Sequence, residues 1–154
     1  MSHEEGHHDG HGEGHDEHDP FTFRMRLPSP LPVHIERVMT RVIDCAIDVH
    51  RQLGPGFLES IYQRAMCIAL TKGGIPFEPE KAIEVFYDGV AIPGQRVDLV
   101  VAGAVIVELK AVERFEDVHR RQVISYLRTM GLRAGLLINF HVPLLYRGIK
   151  RVVL

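Results

Sequence analysis

Residues 104–111, AVIVELKA, are apolar except for a glutamate and a lysine two positions apart. A run this short and this apolar predicts a buried strand rather than a helix. Val90–Val101 predicts the strand before it, interrupted near Pro93-Gly94, with Ala102-Gly103 as the connecting turn. Successive side chains of a strand alternate between faces, so Glu108 and Lys110 point the same way and Leu109 points into the opposite layer. If the two strands pair through that turn, Asp98 of RVDLVV arrives within a couple of residues of Glu108. Two carboxylates and an ammonium then converge near the centre of a sheet. Ionised groups in such a setting are costly unless paired or bound to a cation. A hard divalent ion such as Mg²⁺ asks for a few carboxylate oxygens, a carbonyl and retained water. The other reading is a salt bridge, in which Lys110 pairs with Glu108 or Asp98 at the rim of the sheet.

The remaining elements set the layering. Ile35, Val38, Met39, Val42, Ile43, Ala46, Ile47 and Val49 recur at helical spacing and predict a helix from Val33 to Leu53, broken by Gly54-Pro55-Gly56. A second helix is expected from Leu58 to Lys72, with Ile61, Ala65, Ile68 and Ala69 as its apolar stripe and Gly73-Gly74 as its end. Residues 76–88 predict a strand that turns at Asp88-Gly89. Glu116–Met130 predicts a third helix stopped by Gly131. Residues 133–139 predict a short buried strand, and Leu145–Val153 an edge strand. The order ααβββαββ implies an α/β architecture built on a mixed sheet flanked by helices.

Charge divides the chain. Residues 1–19 hold seven acidic side chains, six of the ten histidines and no Lys or Arg. Without aliphatic periodicity this tail cannot bury enough surface to offset its backbone entropy. Residues 20–33 form a Pro-punctuated linker. The rest, residues 34–154, is one domain, and the chain after the tail carries eighteen Lys and Arg against thirteen Asp and Glu. Such a mildly basic balance suits a polyanionic partner without requiring one. Two cysteines, Cys45 and Cys67, exclude a disulfide framework and a four-thiolate metal site, and are read as buried thiols. No apolar run reaches the about 20 residues needed to span a bilayer, and the acidic start is unlike a targeting peptide. A cytoplasmic protein without a membrane partner is expected.

Three further features accompany the Asp98–Glu108–Lys110 patch. Glu59 stands early in the second helix, and Gln122 and Tyr126 lie one turn apart on the third. These residues carry a resemblance. GFLESIY at 56–62 resembles the GxxExxY signature of a bacterial family named for that motif, and RVDLVV, VIVELKAV, QVISYL and GLLINF resemble its later blocks in the same order. The resemblance covers residues 34–151. It implies membership of the PD-(D/E)XK nuclease superfamily, a restriction-endonuclease-like fold, and hydrolysis of DNA or RNA with Mg²⁺ or Mn²⁺. By the same resemblance Asp98, Glu108 and the Leu109 carbonyl hold metal, Lys110 orients the attacking water or stabilises charge on the phosphate, Glu59 contacts metal directly or through water, and Gln122 with Tyr126 forms a polar helix motif beside the site.

Other readings stay open. The fold persists without catalysis in some superfamilies, so a non-catalytic, self-assembling or binding module is the alternative, with the N-terminal segment joining copies into a homo-oligomer. The histidines of the tail, irregularly spaced, form a loose site for Zn²⁺ or Ni²⁺ or serve only solubility. His50 is expected to meet the last carbonyls of its own helix, and His141 to lie on the surface. His119, Arg120, Arg121, Arg128 and Arg133 form either a phosphate-facing or a solvated surface.

Overall fold

The computed structural model describes residues 29–154. The histidine-rich tail, most of the linker and every metal or assembly role assigned to them lie outside the described residues. Three helices and five strands follow in the expected order: α1 (Val33–Leu53), α2 (Glu59–Lys72), β1 (Phe77–Tyr87), β2 (Val90–Val101), β3 (Val105–Lys110), α3 (Asp117–Met130), β4 (Ala134–Asn139) and β5 (Ile149–Val153). The strands form one sheet in the order β1-β2-β3-β4-β5. Only β3 and β4 run parallel; every other neighbouring pair is antiparallel. A parallel pair needs a long crossover, and α3 supplies it. This is the mixed, helix-flanked sheet that the element order implies, a restriction-endonuclease-like α/β fold.

Each face of the sheet has its own core. Met39, Val42 and Ala46 of α1 and Tyr62, Met66 and Leu70 of α2 pack on Leu99, Val107, Leu109, Leu136 and Ile138. Val123, Tyr126 and Leu127 of α3 pack on Val100, Ile106 and Leu137 of the other face. β3 and β4 are therefore covered on both sides, which is why their sequences are nearly unbroken apolar runs. Gly135 lets α3 sit close: a Cβ there would lie 2.7 Å from Val123 Cγ1. Among the described residues no helix is long and apolar enough to cross a membrane.

Three details differ from expectation. The buried face of α2 is Tyr62, Met66 and Leu70, while Ile61 and Ile68 are exposed. Both sets satisfy helical spacing, and Tyr62 decides between them. Its ring stacks on Phe140 with centroids 4.4 Å apart, and its hydroxyl donates to the Gly54 carbonyl at 2.6 Å. Pro93-Gly94 does not divide β2. A register shift between Ile83 and Val85 on β1 absorbs the break as a bulge. Finally, Leu145–Gly148 forms a turn of 3-10 helix, and the edge strand starts only at Ile149.

Candidate active site

The site begins where two central strands part. The β2–β3 ladder runs from Val101↔Val105 to Leu99↔Val107 and stops one pair short of Asp98 and Glu108. There the two side chains take over from the backbone. The Asp98 N–H donates to Glu108 Oε1 at 3.0 Å, and the Leu109 N–H donates to Asp98 Oδ2 at 2.8 Å. On its other side β3 stays paired to β4 as far as Lys110↔Asn139. Glu108 and Lys110 are therefore held on a fixed strand, while the gap beside them opens toward β2. Leu109 sends its side chain into the core under α1 and α2, opposite to its two neighbours, as the alternation predicts.

The pleat of both β1 and β2 reverses at this level. Leu99 faces the core under α1 and α2, whereas Val97 faces the core under α3. On β1, Phe77 packs toward the first core and Ile83 toward the second, although six residues apart they would share a face in a regular strand. Glu80 lies between them with φ of 48°, left-handed backbone that costs a non-glycine residue energy. It stands at the level of Asp98, between the pairs Pro79↔Leu99 and Lys81↔Val97. Glu80 is thus a further acid close to the site.

Burial sets the protonation of these groups. Removal from water, and then the negative charge of Asp98, push the Glu108 carboxyl up to about 8. Burial also raises Asp98, opposed by the Leu109 N–H and the Lys110 ammonium. Each carboxyl is raised by burial, and Glu108 the more clearly, because it also meets the Asp98 charge. Glu59, in the first turn of α2, is raised by burial and feels Lys110, Asp98 and Glu80. So Glu59, Asp98, Glu108 and Lys110 lie within one electrostatic neighbourhood. Lys110 does not close it as a salt bridge: among the described residues the ion pairs within 4.0 Å are Lys81–Glu78 and Arg151–Glu36.

Helices frame the cluster from both layers. Gln63 of α2 donates its amide N–H to the Asp98 carbonyl at 3.2 Å and ties the helix carrying Glu59 to β2. Across the sheet, Tyr126 of α3, one turn after Gln122, accepts from Gln95 Nε2 at 2.6 Å. Burial, and then the Glu108 charge, raise the Tyr126 hydroxyl above the usual tyrosine range. Tyr126 therefore lies within reach of the Glu108 charge, and Gln95 and Gln63 are partners that a one-dimensional pattern does not announce. His119 turns out to cap its own helix: its Nδ1 accepts the Glu116 N–H at 3.1 Å, in a capping box.

Asn139 secures the end of β4. Its amide donates to the Val112 carbonyl at 2.7 Å, and its Oδ1 accepts from the N–H groups of Val112 and His141, both at 3.1 Å. The Phe140 N–H donates to the Lys110 carbonyl at 2.9 Å. These bonds extend the β3–β4 pairing past Lys110. His50 does not meet its own helix end. Its Nε2 lies 2.7 Å from the Val142 carbonyl oxygen, pinning the loop after β4 to α1. His141 is exposed as expected, and Cys45 and Cys67 are half-buried free thiols.

Two adjoining buried carboxyls that repel one another suit a divalent cation, whose charge would displace the Glu108 proton and relieve the repulsion. No group of three His, Cys, Asp or Glu side chains is gathered as a metal cage among the described residues. The pair on its own suits Mg²⁺, which is commonly held by one or two carboxylates together with water and substrate phosphate. The sequence model of the PD-(D/E)XK nuclease superfamily matches residues 36–152. No curated protein and no solved structure matches the chain significantly.

Proposed function

Because the chain belongs to the PD-(D/E)XK nuclease superfamily, we propose that it is a metal-dependent phosphodiesterase that hydrolyses DNA or RNA. One observation supports the reading: Asp98 and Glu108 each reach across to the other strand where the β2–β3 ladder ends, and Lys110, two residues after Glu108 on β3, is in no ion pair within 4.0 Å among the described residues.

Asp98 and Glu108 would hold Mg²⁺ or Mn²⁺, with the Leu109 carbonyl as a further oxygen and Glu59 reaching the ion directly or through water. A bound divalent cation neutralises phosphate charge and makes water more acidic. The chain's own groups do the rest. Glu108 would serve such an ion as an ionised carboxylate. The Lys110 ammonium, held at the end of β3, donates to the attacking water or to the phosphate oxygen that gains charge. Gln122 and Tyr126 fix the Glu108 side of the site from α3. No Ser, Cys or His nucleophile is required.

The test is direct. Full-length protein with Mn²⁺ should cleave at least one of single-stranded DNA, duplex DNA, branched DNA and RNA, and Asp98→Asn should not. Absence of cleavage on all four, or equal cleavage by wild type and Asp98→Asn, overturns the assignment.

A further inference from the structure

A second concavity lies between the end of α1 and the loop that follows β4. After Asn139 the chain must turn back to reach β5, and the bond between His50 and Val142 fixes that turn on the end of α1. Pro143, Leu144, Leu145 and Tyr146 then face Ile47, His50, Arg51, Gly54 and Pro55 across a cavity of about 480 Å³. That is within the size range of small-molecule sites, about 300–1,000 Å³. Both walls lead to the candidate catalytic groups. Gly54-Pro55 opens the short segment that ends at Glu59, and Phe140 donates to the Lys110 carbonyl. The cavity thus opens beyond the carboxyl ends of the parallel pair β3 and β4, where ligands of α/β sheets bind.

Its lining selects an occupant. No Asp or Glu lines it, and its ionisable side chains besides Tyr146 are His50 and Arg51. The walls are apolar, and the half-exposed Tyr146 ring has the Arg147 guanidinium 5.8 Å from its centroid. Arg51 is exposed at the last turn of α1. Flat apolar surface, an aromatic ring and cations without a competing acid fit a ligand that is planar at one end and anionic at the other. An unpaired nucleotide of a polynucleotide strand has that chemistry: the base stacks on an aromatic side chain and the phosphate meets a cation. A base still paired in a duplex keeps its faces covered.

We propose that this cavity holds an unpaired nucleotide next to the bond that is cut, so that the enzyme acts on single-stranded or frayed nucleic acid. The proposal rests on the nuclease reading, but its test is independent of cleavage. Binding of a fluorescein-labelled single-stranded oligonucleotide and of a blunt duplex is measured by anisotropy on the full chain, with Ca²⁺ in place of Mg²⁺. Tyr146→Ala and Arg51→Ala should each weaken single-strand binding at least fivefold and change duplex binding less than twofold. Tyr146→Trp, which keeps a stacking face, should bind as wild type does. Tyr146 and Arg51 are surface residues, so their variants keep the fold. Unchanged single-strand affinity in both alanine variants, or equal losses for strand and duplex, overturns the proposal. If the oligonucleotide is cleaved in Mn²⁺ while both variants bind normally, the cavity is excluded and the nuclease reading stands. If neither binding nor cleavage is seen, both fall.

Discussion

Asp98 and Glu108 each satisfy a backbone N–H of the opposite strand, at 3.0 Å for the Asp98 amide and 2.8 Å for the Leu109 amide. The same two carboxyls that would bind a cation therefore also hold β2 and β3 together where their ladder has ended. Charge and hydrogen bonding can be separated by substitution. Asp98→Asn and Glu108→Gln keep an acceptor oxygen and lose the charge. Each should lower cleavage by about 10²-fold or more while thermal unfolding stays close to wild type. Asp98→Ala should in addition destabilise the fold by about 1–3 kcal/mol, since the Leu109 N–H loses its partner. Denaturant unfolding of the three variants separates these effects.

The pH dependence of the metal-free protein should run against that of an ordinary surface carboxylate. Glu108 is pushed up to about 8 by burial and by Asp98, from an ordinary value of 4.5. Between those values the folded chain holds a proton that the unfolded chain has released, so stability falls as pH rises from about 4.5 to about 8. Glu108→Gln should flatten that slope. Because cation binding releases the proton, Mn²⁺ should bind more tightly as pH rises toward 8. Calorimetry in two buffers of different ionisation enthalpy reads the released proton, and its persistence in Glu108→Gln would contradict this account.

Lys110→Met removes an ammonium that forms no ion pair within 4.0 Å among the described residues. It should leave the fold intact and Mn²⁺ bound, and reduce cleavage by about 10²-fold or more. Lost metal binding, or a large loss of stability, would mean that the lysine acts as a structural counter-charge.

Glu80 carries left-handed backbone inside a strand, at φ of 48°. Glycine tolerates that conformation, whereas a β-branched residue resists it strongly. Glu80→Gly should match or slightly exceed wild-type stability, the relief of about 1–2 kcal/mol being partly offset by glycine's greater freedom when unfolded. Glu80→Val should be the least stable of the three. Equal unfolding midpoints for Gly and Val would show that the backbone is not strained there.

Much of this architecture was legible in the sequence because the strongest signals are local. Val105–Lys110 and Ala134–Asn139 are apolar runs, so they read as central strands. A turn at Ala102-Gly103 was enough to bring Asp98 and Glu108 to the same level. The α2 face was not legible: Ile61 with Ile68 and Tyr62 with Met66 fit helical spacing equally, and only the stacking of Tyr62 on Phe140, distant in sequence, decides between them. Gln63, Gln95 and Asn139 gain their roles from partners 35, 31 and 27 residues away. No spacing rule encodes such pairs. Glu80 was missed because its left-handed backbone belongs to a pleat reversal made jointly by two strands.

The anchoring of Glu108 and Lys110 to β4 has a consequence for how such a site can diversify. Glu108 and Lys110 are locked to β4 up to Lys110↔Asn139, and the Asn139 side chain clamps the residues just beyond. Glu59 instead heads a helix that reaches the sheet through the Gly54–Leu58 approach and the Gln63 bond. Half of the constellation stands on paired strand, and the other half on a helix reached by a short connection. Insertions or deletions in that approach would retune the bite of the helix on a substrate and leave the acid pair undisturbed.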